Sequence, residues 1–130
     1  MFNIIYLDGD HSYQQVSRDI YNSLNLLDLG SILCGDDLEV QAHQVDNSIL
    51  KRSSNADDSW MINPTTSEGF HPGVTRAVAE QIGPVSAWNG FWAVKKEEHG
   101  WSNLNLDSIE APIPRPLMQY DNDGTKEFDL

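Results

Sequence analysis

The sequence predicts an α/β domain whose sheet combines parallel strands with a carboxyl-terminal antiparallel hairpin. Three observations lead to this prediction: a short apolar run at Phe2–Leu7, an amphipathic helical pattern directly after it, and a hairpin signal at Asn89-Gly90. The chain has 130 residues, 39% of them hydrophobic. Because domains average roughly 100 to 200 residues, we expect one domain with a substantial core.

Composition and charge argue against several classes of partner. Eight Lys and Arg residues against 20 Asp and Glu residues give a net charge of -12 at pH 7. An acidic surface repels phosphate backbones and anionic membranes, so we expect neither nucleic acid nor a membrane as a partner. The first residues do not show the pattern of a secretion signal. The single cysteine, Cys34, cannot form an internal disulfide, which agrees with a cytoplasmic location.

The first third of the chain predicts a strand, a helix and a second strand. The run FNIIYL is nearly all apolar, as in a parallel strand covered on both faces, and it ends at Asp8. Apolar residues then recur at steps of three and four from Tyr13 to Leu27, with Ser12 as the expected N-cap. Gly30 is expected just past the helix end, and residues 31–34 form the next buried strand. Since such crossovers are right-handed, the two strands should be parallel.

The remaining segments have weaker or more local signals. Residues 38–70 are polar and predict a long loop or lid, with a helical turn at 45–50. Pro72 and Gly83-Pro84 bound a short predicted helix. Residues 85–88 and 91–94 flank Asn89-Gly90 as an antiparallel hairpin. We expect residues 97–130 to form an acidic, loosely attached tail.

Acidic residues follow both predicted strands of the parallel pair. Asp8 ends the first strand, and Asp36 and Asp37 follow the second. Adjacent parallel strands lie roughly 4.8 Å apart, so these carboxylates would converge if the strands are neighbours. Carboxylates without a cysteine-histidine set favour Mg²⁺ or a similar divalent cation. The structural alternative is that Asp8 and Asp10 cap the following helix or shape a turn.

His11 is the candidate general base. It lies three residues past Asp8 at the start of the predicted helix, where the positive end of the helix dipole favours the neutral imidazole. A neutral imidazole beside a cation could deprotonate a coordinated hydroxyl. The alternative is a surface or capping histidine. Cys34 is expected to be a small core residue. His71 could face the site, but we favour packing at the loop end.

Four runs of sequence together resemble the carboxyl half of class I S-adenosylmethionine-dependent methyltransferases. The runs are IIYLDGDHSYQQVSRDI, LLDLGSILCGDD, HPGVTRAV and NGFWAVKK. The closest type is the group with a D-G-D-H-S-Y signature, which is similar to the metal-dependent sugar and catechol O-methyltransferases. The resemblance covers residues 2 to about 96.

The resemblance implies a partial Rossmann-like class I methyltransferase sheet in residues 1–96. The first strand would correspond to the fourth strand of the family, residues 31–34 to the fifth, and the hairpin to the sixth and seventh. It also implies that Asp8, Asp36 and Asp37 hold Mg²⁺, and that His11 deprotonates the hydroxyl of a small acceptor. S-adenosylmethionine would be the methyl donor.

The cofactor-binding half of such a family is absent from this sequence. Family members hold the cofactor mainly with a glycine-rich turn after their first strand, and no G-x-G-x-x-G occurs here. No cofactor-binding residue is therefore identified, and we expect a fragment of a longer protein that is inactive by itself. The first strand would also expose an apolar edge, which favours pairing with another chain as a homo-oligomer.

Three hypotheses about function follow. The leading one is the metal and acceptor half of an O-methyltransferase that acts on a hydroxyl of a small molecule or sugar. The second is a truncated, non-catalytic module that binds partners or oligomerises through its exposed strand edge. The third is a metal-dependent hydrolase that uses the same acids on a bound water.

Overall fold

A mixed five-stranded sheet organises the structure, a computed structural model that describes residues 2–53 and 60–105. The helices and strands follow one another along the chain as β1 (Phe2–Leu7), α1 (Tyr13–Leu24), β2 (Leu27–Leu38), a 3₁₀ turn (Ala42–Gln44), α2 (Asn47–Leu50), β3 (Met61–Ile62), β4 (Gly69–Phe70), α3 (Pro72–Gln81), β5 (Ser86–Trp88), β6 (Gly90–Glu97) and β7 (Gly100–Asn103).

The sheet has the order β1-β2-β6-β5, and β7 pairs with β6. β1 and β2 are parallel, whereas β6 runs antiparallel to β2, β5 and β7. The prediction of an α/β fold with parallel strands and a carboxyl-terminal antiparallel hairpin is confirmed. At the hairpin turn, Asn89 and Gly90 both have positive φ values, 49° and 86°. This conformation suits the twist of a two-residue turn and explains why Asn-Gly occurs there.

Helix α1 begins as predicted but ends earlier. The Ser12 hydroxyl accepts a hydrogen bond from the backbone N–H of Gln15, which confirms the N-cap. The helix stops at Leu24, so Leu27 is a fully buried strand residue and not part of the helical stripe. Gly30 lies inside β2 with a φ of 84°, at an irregularity in the pairing with β1. The predicted helix end at Gly30 is therefore wrong, because the same left-handed conformation also serves a bulge.

The main core lies between one face of the sheet and the helices α1 and α3. Its buried members come from both helices, from the strands β2 and β6 and from the residue before β5: Val16, Ile20, Leu27, Leu33, Leu38, Val74, Ala77, Val78, Val85, Trp92 and Val94. The stripe predicted for residues 72–82 forms α3, with Pro72 at its first turn. The amphipathic patterns of the two helices thus specified which sides face the sheet.

The other face of β1 is exposed. Phe2, Ile4 and Tyr6 have exposed fractions of 56%, 60% and 49%, while Ile5 and Leu7 pack against the core. The prediction that this strand is covered on both faces is wrong for the described residues, in which α1 and α3 pack on the same side of the sheet. β1 is also at the edge of the described sheet, as the sequence led us to expect.

Residues 38–70 contain more regular structure than predicted. The 3₁₀ turn, α2 and the β3-β4 pair lie within them, and α2 corresponds to the predicted turn at 45–50. A second core of Val40, Ile49, Leu50 and Phe70 holds these elements together. The prediction of a long loop is therefore wrong for the described part of the segment. Its apolar residues are too widely spaced to show a period, although they meet in space.

The predicted tail begins with ordered structure. β6 extends to Glu97, and β7 pairs with it from Gly100 to Asn103. Residues 106–130 of the predicted tail lie outside the described residues. None of the helices in the described ranges has the length and apolar character needed to cross a membrane.

Candidate functional site

A small cavity lies where the carboxyl ends of β1 and β2 meet the amino ends of α1 and α3. Acidic residues make up much of its lining, and the residues around it are Leu7, Asp8, Gly9, Asp10, His11, Val16, Asp19, Asp36, Asp37, Val74 and Trp92. The topology explains this arrangement, because neighbouring parallel strands present their carboxyl ends at one edge of the sheet. Asp8, His11, Asp36 and Asp37 therefore come together around one space, as the sequence predicted.

A local distortion of β2 positions the acidic pair. Asp37 has a φ of 63°, which is uncommon for a residue with a side chain. The Asp36 Oδ1 atom accepts a hydrogen bond from the Asp37 backbone N–H at 2.9 Å, which supports this conformation. The pairing of β2 with β6 is irregular between Gly35 and Leu38. The irregularity changes the alternation of side chains, so that two consecutive carboxylates reach the same cavity.

Gly35 is required by the packing beneath the acidic pair. A Cβ at this position would lie 2.7 Å from the Nε1 atom of Trp92. Trp92 is fully buried, so surrounding atoms hinder a shift of its ring that would relieve the overlap. The indole ring thus forms the floor of the cavity and sets the position of the backbone that carries Asp36.

Tyr6 is an additional member of the site. Its hydroxyl donates a hydrogen bond to Asp36 Oδ2 at 3.4 Å. Partial desolvation, followed by the nearby carboxylates of Asp36 and Asp8, raises the pKa of Tyr6, and Asp37 adds a smaller effect in the same direction. Negative charge beside a phenol disfavours the phenolate. The carboxylates of Asp8, Asp36 and Asp37 thus all raise the pKa of the same hydroxyl group, that of Tyr6.

A close polar contact in the site joins His11 to Asp37. His11 Nε2 lies 2.7 Å from Asp37 Oδ2, and both side chains are about 30% exposed, 27% and 31% respectively. The His11 ring stacks on the His71 ring with centroids 4.0 Å apart and an interplanar angle of 16°. Trp60 contacts His71 edge-on at 4.8 Å. One ligand atom from each of His11, Asp37 and His71 lies within 4.8 Å of the others.

The amino ends of α1 and α3 approach each other closely at Gly73. A Cβ at Gly73 would lie 2.3 Å from the carbonyl oxygen of His11 and 2.5 Å from the backbone nitrogen of Tyr13. Two helix amino ends therefore face the acidic cavity, where their dipoles stabilise negative charge. Asp10 has a local role, because its Oδ1 accepts a hydrogen bond from the Ser12 N–H at 3.0 Å. This agrees with the alternative that Asp10 shapes the turn.

Two residues of the site, Tyr6 and Trp60, were not predicted from the sequence, and a third, His71, was considered for the site but assigned to packing. Tyr6 could have been found, because it precedes Asp8 by two residues on a strand and so lies on the same face. His71 was interpreted as a packing residue, and it does pack, but against His11 in the site. Trp60 gave no signal in the sequence. It reaches His71 because Met61 of β3 pairs with Phe70 of β4, which brings the residues next to this pair together.

The donor atoms suit two kinds of cation. The carboxylates of Asp8, Asp36 and Asp37 offer oxygens, which match Mg²⁺ or another hard divalent ion. The cluster of His11, Asp37 and His71 instead offers imidazole nitrogens and one carboxylate, which match transition metals. For S-adenosylmethionine the fit fails, since the sequence has no glycine-rich turn between a strand and a helix.

Comparison with known proteins gives no relative. No protein-family model matches the chain. Neither a curated protein nor a solved structure matches it. The functional interpretation therefore depends on the geometry of the site and on the residues that form it.

Proposed function

We propose that this chain is the metal and acceptor half of an S-adenosylmethionine-dependent O-methyltransferase with a partial Rossmann-like sheet. The observation that supports the proposal is the convergence of Asp8, His11, Asp36 and Asp37 on one cavity at the carboxyl ends of two adjacent parallel strands. The acceptor would be a hydroxyl group of a small molecule or sugar. The parallel pair followed by an antiparallel hairpin agrees with the fold that the resemblance implies.

The electrostatics of the cavity favour a divalent cation. Two like charges about 4 Å apart repel by about 4 kcal/mol at an effective dielectric constant of 20. Three carboxylates around one small cavity therefore repel one another, and a divalent cation among them would turn this repulsion into attraction. The oxygens of Asp8 and Asp36, together with Oδ1 of Asp37, would hold Mg²⁺ in this proposal. When bound there, Mg²⁺ lowers the pKa of a coordinated hydroxyl.

His11 is the group that takes the proton from the acceptor hydroxyl in this proposal. Asp37 orients the imidazole through the 2.7 Å contact and stabilises the imidazolium that forms when the proton arrives. The stacked His71 ring restricts the rotation of His11. Asp37 would thus have two roles in this proposal. Its Oδ2 atom contacts the base, His11, and its Oδ1 atom would bind the cation.

In this proposal, a part of the protein outside the described residues binds the methyl donor. S-adenosylmethionine would supply the methyl group, but the sequence contains no glycine-rich turn that would bind it. The edge of β1 is where a parallel sheet would continue toward a cofactor-binding half. The chain by itself is expected to lack methyltransferase activity.

The function is tested by methyl transfer in a protein that contains both halves. Radiolabelled S-adenosylmethionine is supplied with a panel of small hydroxylated acceptors, in the presence of Mg²⁺ or of a chelator. We expect transfer that the chelator abolishes. Transfer that is unaffected by the chelator contradicts the metal role, and turnover of a substrate without S-adenosylmethionine identifies a metal-dependent hydrolase instead.

Mg²⁺ binding is testable on the chain alone. We expect calorimetric titration to show that Asp36→Ala weakens Mg²⁺ binding at least tenfold, because the variant removes one oxygen donor and one charge from the cavity. Asp28→Ala is the matched control, since it removes the same charge from an exposed position at the other end of β2. Equal affinities in wild type and Asp36→Ala would contradict the proposed site.

A second candidate function is a non-catalytic module that oligomerises through β1. The exposed outer face of Phe2, Ile4 and Tyr6 supports this candidate, as does the position of β1 at the sheet edge. An apolar edge strand pairs readily with another strand unless a charge blocks it.

Association through β1 predicts a concentration-dependent dimer in sedimentation velocity. Ile4→Lys should shift the equilibrium to monomer, because it places a charge on the exposed face of the edge strand. Tyr21→Lys is the control, since Tyr21 is equally exposed but lies on α1. A wild-type chain that stays monomeric at all concentrations rejects this candidate.

A further inference from the structure

We infer that His11, Asp37 and His71 form a second cation site, selective for a nitrogen-preferring transition metal such as Zn²⁺. This site is distinct in its chemistry from the all-oxygen site proposed above for Mg²⁺, although the two share Asp37. It does not depend on the methyltransferase proposal, because it rests on the three side chains alone.

The type of donor decides which metal the cluster prefers. Mg²⁺ prefers oxygen ligands, whereas imidazole nitrogen suits zinc, copper, iron and nickel. Two imidazoles and one carboxylate leave at least one coordination position open for water or a substrate atom. The two histidines come from different helix amino ends, α1 and α3, and Asp37 comes from β2. Three elements of the main fold therefore position the ligands.

The distances in the cluster are close to those that a metal requires. Zinc bonds of about 2.0–2.2 Å place tetrahedral ligand atoms about 3.3 Å apart. The ligand atoms of the cluster lie within 4.8 Å of one another, and His11 and Asp37 are already 2.7 Å apart. Completing the site therefore requires the ligand atoms to move closer together and one imidazole ring to rotate. At the contact between His11 and Asp37, the cation replaces a proton.

Metal binding requires one imidazole ring to rotate. The rings of His11 and His71 are nearly parallel, at 16°, so their nitrogen lone pairs do not converge on one point. His71 is contacted edge-on by Trp60, which is itself exposed. Rotation of His71 changes the environment of this indole. Trp60 fluorescence is therefore expected to report occupation of the site.

Occupation by a transition metal would exclude His11 from acting as a base. An imidazole nitrogen bound to a metal cannot accept a proton, and Asp37 would then bind the metal instead of orienting a mobile proton. The two cations would thus have opposite effects on His11. A transition metal would prevent it from accepting a proton, whereas Mg²⁺ at the oxygen site would leave it able to do so.

The test is calorimetric titration of the chain with zinc chloride and, separately, magnesium chloride. His71→Phe is the main variant, because it keeps an aromatic ring stacked on His11 and beside Trp60 but removes the nitrogens. We expect wild type to bind one equivalent of Zn²⁺, and His71→Phe to bind it at least tenfold more weakly with unchanged Mg²⁺ affinity. Asp8→Ala should show the reverse, weaker Mg²⁺ binding with unchanged Zn²⁺ affinity.

Controls separate this site from adventitious binding to surface histidines. His43→Ala removes an exposed imidazole outside the cavity and should leave Zn²⁺ affinity unchanged. The fluorescence change on Zn²⁺ addition should disappear in Trp60→Phe. Absence of Zn²⁺ binding in wild type, or equal Zn²⁺ affinity in wild type and His71→Phe, overturns the inference. Neither outcome bears on the Mg²⁺ result, so failure of the two proposals is distinguishable.

Discussion

Under the proposed methyltransferase function, replacing His11 with alanine is expected to lower the rate of methyl transfer by about 10²- to 10⁴-fold, the usual contribution of a positioned general base. The imidazole lies beside the carboxylates of the cavity and is oriented by Asp37 at 2.7 Å. Without it, the acceptor hydroxyl must lose its proton to water. The measurement is kcat of the proposed two-part methyltransferase, at saturating acceptor and Mg²⁺.

Two companion variants separate proton transfer from packing. His11→Phe keeps an aromatic ring on His71 but has no nitrogen, so it should be as slow as His11→Ala. His99→Ala removes an exposed imidazole near the β6-β7 turn and should keep the wild-type rate. A wild-type rate in His11→Phe would show that His11 is a packing residue and would remove it from the mechanism.

Gly73→Ala is expected to destabilise the fold by about 3 kcal/mol, near the upper end of the usual cost of overpacking. In an open helix, alanine would instead be favoured over glycine by about 1 kcal/mol. Here the added Cβ would lie 2.3 Å from the His11 carbonyl oxygen and 2.5 Å from the Tyr13 nitrogen. These are backbone atoms at the start of α1, so no side-chain rotation relieves the overlap. The helices must separate, which also displaces His11 from Asp37.

Urea unfolding followed by circular dichroism measures this effect. Gly9→Ala is the matched control, because a Cβ there would meet its nearest atom, Asp19 Oδ2, at an ordinary distance of 3.8 Å. Gly9 lines the same cavity, so both substitutions add a methyl group in the same region of the protein. If Gly73→Ala and Gly9→Ala unfold at the same urea concentration, the close approach of the two helices is not a constraint on the fold.

The predictions that the structure confirms were based on interactions between residues close together in the sequence. Ser12 caps α1 because its hydroxyl reaches the Gln15 N–H within the same turn. Pro72 begins α3 because its ring already has a helical φ. The turn at Asn89-Gly90 forms because both residues accept a positive φ. Each of these features depends on residues at most three positions apart, which is why the sequence shows them.

The end of α1 and the structure of residues 38–70 depended on contacts that are distant in sequence. Leu27 fits a helical stripe equally well, but it lies in β2, opposite Phe2 of β1. Lys96 of β6 donates hydrogen bonds to the carbonyl oxygens of Leu24 and Leu27, at the point where the helix gives way to the strand. The positive charge of Lys96 stabilises the carboxyl end of the helix, but no sequence pattern around Leu24 predicts this contact.

The sequence by itself determined that Asp8, Asp36, Asp37 and His11 would surround one cavity near the carboxyl ends of two parallel strands. This was predictable because the direction of a crossover and the ends of its strands are local properties of the chain. Asp36 and Asp37 do not follow the second strand as predicted, because β2 continues to Leu38. Only the tertiary structure decided that His71 stacks on His11 and that Trp60 contacts His71. The first contact follows from the packing of α1 against α3 and the second from the pairing of β3 with β4, and short-range patterns encode neither.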